Sequence, residues 1–255
     1  MPAKPQDPNL HPMSDDNVLI PMGVYPGITQ INKFGQNANI AQGVQEEIWD
    51  GSLAYTWPTT ATITKINTTA DIEAMRGETV EIQGLNADWE LVIQNAVLDG
   101  TNSTTLVTIP TPLIRVFRMK FQSTVVGSSS ITLVNDADNV LYGNIEPGNN
   151  QTLMAMYTVP LGKTAYVTQY YSLVNAGVGN PTALPVKMWA RDNVNGYAPQ
   201  LKHVMSIDLD FTAQVDHVFR PYLKFTEKTD IFLTGQPVGA AANVTAGFDI
   251  ILVDD

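Results

Sequence analysis

Thr79-Val80-Glu81-Ile82-Gln83-Gly84 alternates polar and apolar side chains and then stops at a glycine. A period of two sends one set of side chains into a core and the other into solvent, the mark of a strand with one buried face. The pattern continues on either side. Trp89-Glu90-Leu91-Val92-Ile93 leads toward Asp99-Gly100, a turn dipeptide between strands. Thr104 to Ile109 is a β-branched run halted by Pro110 and Pro112, and Ile114 to Phe121 reads as a long strand. In that strand Arg115, Phe117, Met119 and Phe121 share one face, and Ile114, Val116, Arg118 and Lys120 share the other. Both faces mix apolar and basic groups, so both are expected to be partly covered. The second half repeats the style over Leu153 to Val159, Thr164 to Leu173, Val186 to Ala190, Lys202 to Phe211, Asp216 to Phe219, Asp230 to Thr234 and Phe248 to Val253. Helical propensity is confined to Thr68 to Met75, where one short helix or turn is expected. Many short strands between turn residues give an all-β chain built as β-sandwiches or jelly rolls.

Two short patterns recur at one spacing. Thr56-Trp57-Pro58 with Thr60-Ala61-Thr62-Ile63-Thr64 is echoed by Thr158-Val159-Pro160 with Thr164-Ala165-Tyr166-Val167-Thr168. Val116-Phe117-Arg118 through Phe121 is echoed by Val218-Phe219-Arg220 through Phe225, again 102 residues on (158 − 56 and 218 − 116). Two ordered matches at one offset predict a tandem duplication of a domain-sized unit. The expected layout is an extended N-terminal arm over residues 1–47, a first sandwich over 48–150 and a second over 151–255. Prolines at 2, 5, 8, 12, 21 and 26 and an Asn/Gln/Gly-rich stretch from Gln30 to Gly43 set the arm apart. Its isolated apolar groups, above all Ile20, Tyr25, Ile31 and Phe34, are the expected anchors on a neighbouring subunit, the other reading being an arm folded back on its own domain.

The net charge is −11, with 14 basic residues against 25 acidic ones and no basic run, which argues against direct binding of nucleic acid or an anionic membrane. There is no cysteine, so disulfides and thiolate metal sites are excluded. No apolar run approaches the ~20 residues of a membrane span, and the N-terminus lacks the pattern of a signal peptide, so assembly in a reducing cytoplasm is expected. Only 15% of residues are charged, a weakly charged polar surface suited to close packing against neighbours.

Chemistry is sparse. His203 and His217 lie in strand-rich segments and read as structural, and His11 lies in the arm. No nucleophile elbow or phosphate-binding loop is present. Asp208 and Asp210 could pair as hydrolytic carboxylates, and Asn135-Asp136-Ala137-Asp138-Asn139 spaces oxygens as a Ca²⁺ loop does but lacks the EF-hand's glycine and distal glutamate. The expectation is a protein without catalytic residues, cofactor or metal. Tyr170 and Tyr171 are the candidates for stacking on a glycan.

Several stretches carry a resemblance. Ile31-Asn32-Lys33-Phe34-Gly35-Gln36-Asn37, Ile48-Trp49-Asp50-Gly51, Glu81-Ile82-Gln83-Gly84-Leu85, Ile114-Arg115-Val116-Phe117-Arg118, Tyr157-Thr158-Val159-Pro160 through Gly162-Lys163-Thr164-Ala165, and Phe225-Thr226-Glu227-Lys228-Thr229-Asp230 resemble β-rich virion structural proteins of tailed bacteriophages, especially aquatic ones. The resemblance runs from about residue 24 to the end. It implies a virion location, assembly in the bacterial host and no catalytic residues. A capsid decoration or cement subunit is the first expectation, held by the arm to the major capsid protein or other virion proteins, and homo-oligomeric with a trimer as the analogy. The alternative is a tail, fibre or spike component that binds a host receptor or glycan.

Overall fold

The computed structural model describes residues 16–175, 180–209 and 213–255. A single helical turn, α1 (Asp16–Leu19), precedes the strands. These run β1 (Ile28–Ile40), β2 (Glu46–Glu47), β3 (Ile63–Thr68), β4 (Thr79–Leu85), β5 (Leu91–Val97), β6 (Val107–Leu113), β7 (Arg115–Gln122) and β8 (Ile131–Val134). They continue as β9 (Leu141–Ile145), β10 (Met156–Thr158), β11 (Lys163–Asn175), β12 (Ala183–Asp192), β13 (Gln200–Asp208), β14 (Gln214–Phe225), β15 (Thr229–Gly235) and β16 (Ala242–Asp254). The helical signal near residue 70 shrinks to a 3₁₀ turn, Glu73–Met75.

Two antiparallel sheets, β1-β16-β11-β14 and β10-β15-β12-β13, face each other. First pairs with last: β1 with β16, then β10 with β15, β11 with β14 and β12 with β13. This nested pairing is a long hairpin rolled into two sheets, a jelly roll. Sequence dictates it most plainly in β16, where Ala242, Val244, Ala246, Phe248, Ile250 and Leu252 alternate into the core and are all buried.

The segment assigned to an arm is corrected from Ile28 onward. Residues 28–40 form β1, in register with β16 from Ile28 opposite Val253 to Asn37 opposite Val244. The polar residues that disguised it are accommodated individually: Asn37 is buried and its amide donates to Glu46 Oε2 and to the Glu47 carbonyl, both at 3.2 Å. A buried polar group is tolerated where such partners exist.

The domain boundary moves as well. β2 and β10 both lie against β15, so together they make one strand of the roll that is interrupted by about a hundred residues. The break is stitched by backbone bonds. Ile48 N donates to Leu233 O at 3.0 Å, Leu233 N to Ala155 O at 3.1 Å, and Ala155 N to Ile48 O at 2.9 Å. The first sandwich is therefore inserted into a strand of the second rather than strung before it.

The inserted unit has sheets β6-β3-β8-β9 and β5-β4-β7. The 102-residue offset would have β3 pair with β7, as β11 pairs with β14, but β3 pairs with β6 and β8 instead. A tandem, in-register duplication does not fit these ladders. A permuted plan does. If β5, β6, β7, β8, β9, β3 and β4 take the places of β1, β10, β11, β12, β13, β15 and β16, every ladder of the insert has its counterpart in the roll, and the counterpart of β14 is missing. The two cores also interpenetrate: Leu85, Ile114 and Phe117 of the insert pack into the roll's core, while Met156 and Phe232 of the roll pack into the insert's.

Candidate functional site

The point where the two sandwiches meet holds a dense, buried polar cluster. Arg115 begins β7 and Asp230 lies on β15, and both are buried. Arg115 Nε donates to Asp230 Oδ1 at 2.8 Å and its Nη2 to Oδ2 at 3.0 Å, a bidentate pair. Its Nη1 donates to the carbonyls of Pro58 and Ile114. Thr158 Oγ1 donates to Asp230 Oδ1 at 2.7 Å, and Asn193 Nδ2 to Asp230 Oδ2 at 2.9 Å. The buried carboxylate is thus saturated with donors, the condition under which a charge can stay in a core.

Aromatic rings bracket this pair. The Arg115 guanidinium carbon lies 5.3 Å from the Trp57 ring centroid and 5.0 Å from that of Trp89, and the Arg191 guanidinium carbon lies 5.0 Å from Trp57. Each such contact is worth about 0.5–2 kcal/mol. Trp89 is held there at backbone cost: its φ is +66°, a region bulky residues avoid. Asn86 organises that turn, its side-chain oxygen accepting from Asp88 N at 2.9 Å and Glu90 N at 3.0 Å. Strain of this kind persists only where the surroundings impose it.

Arg191 differs from Arg115. It is half-buried and 3.8 Å from Asp230, and its guanidinium donates no hydrogen bond among the described residues. Burial pulls its pKa below the usual arginine value, Asp230 opposes that pull, and Arg115 adds to it. An open cleft of about 500 Å³ lies over this residue, lined by Trp57, Thr59, Trp89, Arg115, Arg191 and Tyr197.

A second groove runs between the sandwiches beside β1. It measures about 380 Å³ and brings Ile31 and Phe34 together with Leu91, Ile93, Phe117 and Tyr157. Two of the expected anchors thus line one groove, although as parts of a sheet strand. Ile20 and Tyr25 are half-buried and lie apart from it, and the Tyr25 hydroxyl donates to Asp16 Oδ1 at 2.9 Å within the same N-terminal segment. Lys33, also on β1, is buried and donates to the Phe117 carbonyl. Burial, reinforced by Arg118 and opposed by Asp50, lowers its pKa to about 7.

Of the two tyrosines expected to stack on a glycan, Tyr170 is corrected. Tyr170 is 0% exposed, its hydroxyl 2.6 Å from His203 Nδ1, so its ring has no face to offer a sugar. Tyr171 is half-buried, its hydroxyl over the Cα of Gly247 and within 3.5 Å of Asn32 Nδ2. His203 and His217 stack at 4.0 Å where the facing edges β13 and β14 meet. Asp208 ends β13, and its proposed partner Asp210 lies outside the described residues. Asn135 uses its side-chain oxygen to accept from Asn139 N and Val140 N, which makes the acidic stretch a closed turn. Among the described residues no cluster of three or more His, Cys, Asp or Glu side chains could hold a metal ion.

Sequence reading missed the Trp57–Arg115–Trp89 stack because its members come from three separate segments. The available signal was Arg115 on the same face as Phe117, Met119 and Phe121, an arginine on an otherwise apolar face that demands a buried anion. No protein-family model matches the chain, and no curated protein matches it.

Proposed function

We propose that this chain is a structural component of a tailed-bacteriophage virion, a decoration or cement subunit on the capsid. The observation that carries the reading is the edge strand β5. Leu91, Ile93 and Val97 project from one face of it and are 46%, 63% and 51% exposed. An isolated protein blunts a free sheet edge with charge, proline or a covering loop, because an apolar edge recruits another strand. Here the strand's outer face is apolar on either side of Asn95 and borders the groove lined by Ile31 and Phe34, while inward-facing Gln94 bridges the strand to the Thr111 backbone of β6. Its occupant in this reading is an extended segment of a neighbouring shell protein, laid along this apolar face and the groove beside it, a contact that needs no charge on either side. The weakly charged surface fits such packing, and many modest contacts repeated over a shell add up by multivalency. The chain is then a homo-oligomer, with a trimer as the arrangement to test, whose partners are the major capsid protein and its own copies.

Cryo-electron microscopy of the assembled particle tests this. Density for the chain on the shell, with β5 against a neighbouring subunit, is the expected result. A Leu91→Lys, Ile93→Lys double variant should fold and fail to incorporate. Density at the tail, a fibre or a spike would overturn the capsid assignment in favour of the receptor-binding alternative.

A further inference from the structure

We propose that the cleft over Arg191 is a binding site for an acidic saccharide, with the sugar's carboxylate on Arg191 and its ring against Trp89 and Tyr197. This goes beyond the shell role and does not depend on it.

Several features point to this ligand class. The cleft is open and walled by aromatic side chains, and the C–H face of a pyranose ring packs on such rings while its hydroxyls stay wet. Its charged lining residues are both arginines, whereas the acids near Arg191, Asp230 and Glu47, do not line it. Asp230 is committed to Arg115, Thr158 and Asn193, and Glu47 accepts from Tyr55 N and Trp57 Nε1. Arg191 is ion-paired to Asp230 only at 3.8 Å and donates no hydrogen bond among the described residues, which leaves donors on a guanidinium plane that suits a carboxylate. Thr59 and the 58%-exposed Tyr197 add hydroxyls at the rim. The turn organised by Asn86 holds Trp89 in place, despite its positive φ, before any ligand arrives, which lowers the ordering cost of binding.

Arg115 itself is not the ligand's partner. All its directions are filled, and its role is to anchor Trp57 and Trp89. The chain's net charge of −11 works against long-range capture of a polyanion, so the site is expected to recognise a terminal or isolated acidic residue and to weaken as salt rises.

Isothermal titration and intrinsic tryptophan fluorescence on the whole chain test it. The probes are trigalacturonate, trimannuronate, triguluronate and sialyllactose, with methyl-esterified trigalacturonate as the uncharged control. The expected result is millimolar or tighter binding of at least one acidic probe, a change in tryptophan emission, and no comparable binding of the ester. Arg191→Gln should weaken that binding at least about tenfold. Tyr197→Ala, on an exposed loop where loss of fold is not expected, should weaken it as well. Failure of all four acidic probes, equal binding of the ester, or binding untouched by both variants in folded protein would each overturn the assignment.

Discussion

Arg115 of the inserted sandwich and Asp230 of the enclosing jelly roll are joined by two hydrogen bonds, of 2.8 and 3.0 Å, while 3% and 0% exposed. This pair ties together two cores that already share side chains. Breaking one side strands a buried charge. Asp230→Ala should therefore destabilise the protein by about 3–5 kcal/mol, read by urea denaturation. Both sandwiches should melt in one transition, because Met156 and Phe232 serve the insert's core and Phe117 the roll's. A loss below about 1 kcal/mol would mean that the pair contributes little to holding the insert.

Gly35 sits on β1 directly over the interrupted strand. A Cβ there would lie 2.3 Å from both Ala155 N and Ile48 O, the two atoms whose hydrogen bond closes the break. Neither backbone atom can withdraw without opening the stitch. Gly35→Ala should cost about 3 kcal/mol or more, above the usual range for an added methyl, with the loss visible as a drop in melting temperature. An alanine variant as stable as the parent would show that the strand junction yields more easily than its bonding implies.

The strands were legible in the sequence wherever one face meets a core. The alternations in Thr79–Gly84 and Phe248–Val253 announced β4 and β16, and the all-β class followed. The nesting was not legible. It depends on Glu46–Glu47 pairing with Thr234–Gly235, a contact between distant polar and turn-like residues with no local signature. The same blindness affected β1, whose Asn- and Gln-rich run looks like a solvated arm until Asn37 is seen to have buried partners. At the cleft, Trp57 and Arg115 stood in segments the sequence marked out, but nothing local signalled Arg191, and the convergence of these side chains is a property of the insertion point. Tyr170 shows the converse: it falls on the core-facing side of β11 and is buried, while its neighbour Tyr171, on the other face, is only half-buried.

Lys33 should give the protein a stability that rises with alkaline pH. Its folded pKa is about 7 against an ordinary 10.5, so between those values the unfolded chain holds the proton and the folded chain does not. The contribution is fully present above 10.5 and is lost as pH falls toward 7. Lys33→Met removes the titration. Its stability relative to the parent should be most favourable at or below pH 7 and should decline by up to about 4 kcal/mol on going to pH 10.5. Chemical denaturation of both proteins across that range checks it, and parallel curves would mean that the amine keeps its charge in the fold.

His203 should act in the same sense at acid pH. Burial, helped by the neighbouring His217, lowers its pKa from 6.5, and Tyr170 shares its Nδ1. The lowered value means that the unfolded chain takes up the proton first. Stability is then complete above pH 6.5 and falls as pH drops from there toward the folded pKa, where the loss levels off. The consequence is local as well as global. The stacked rings stand where β13 and β14 meet, with Phe219 at 5.6 Å from His203 and 4.8 Å from His217, so a proton gained by His203 presses the two sheet edges apart. Amide exchange in β13 and β14 should accelerate as pH falls below 6.5, beyond the intrinsic pH dependence of exchange, ahead of β16 at the roll's centre. His203→Phe should flatten that acid response. If the variant shows the same acceleration as the parent, the acid sensitivity of this seam has another source.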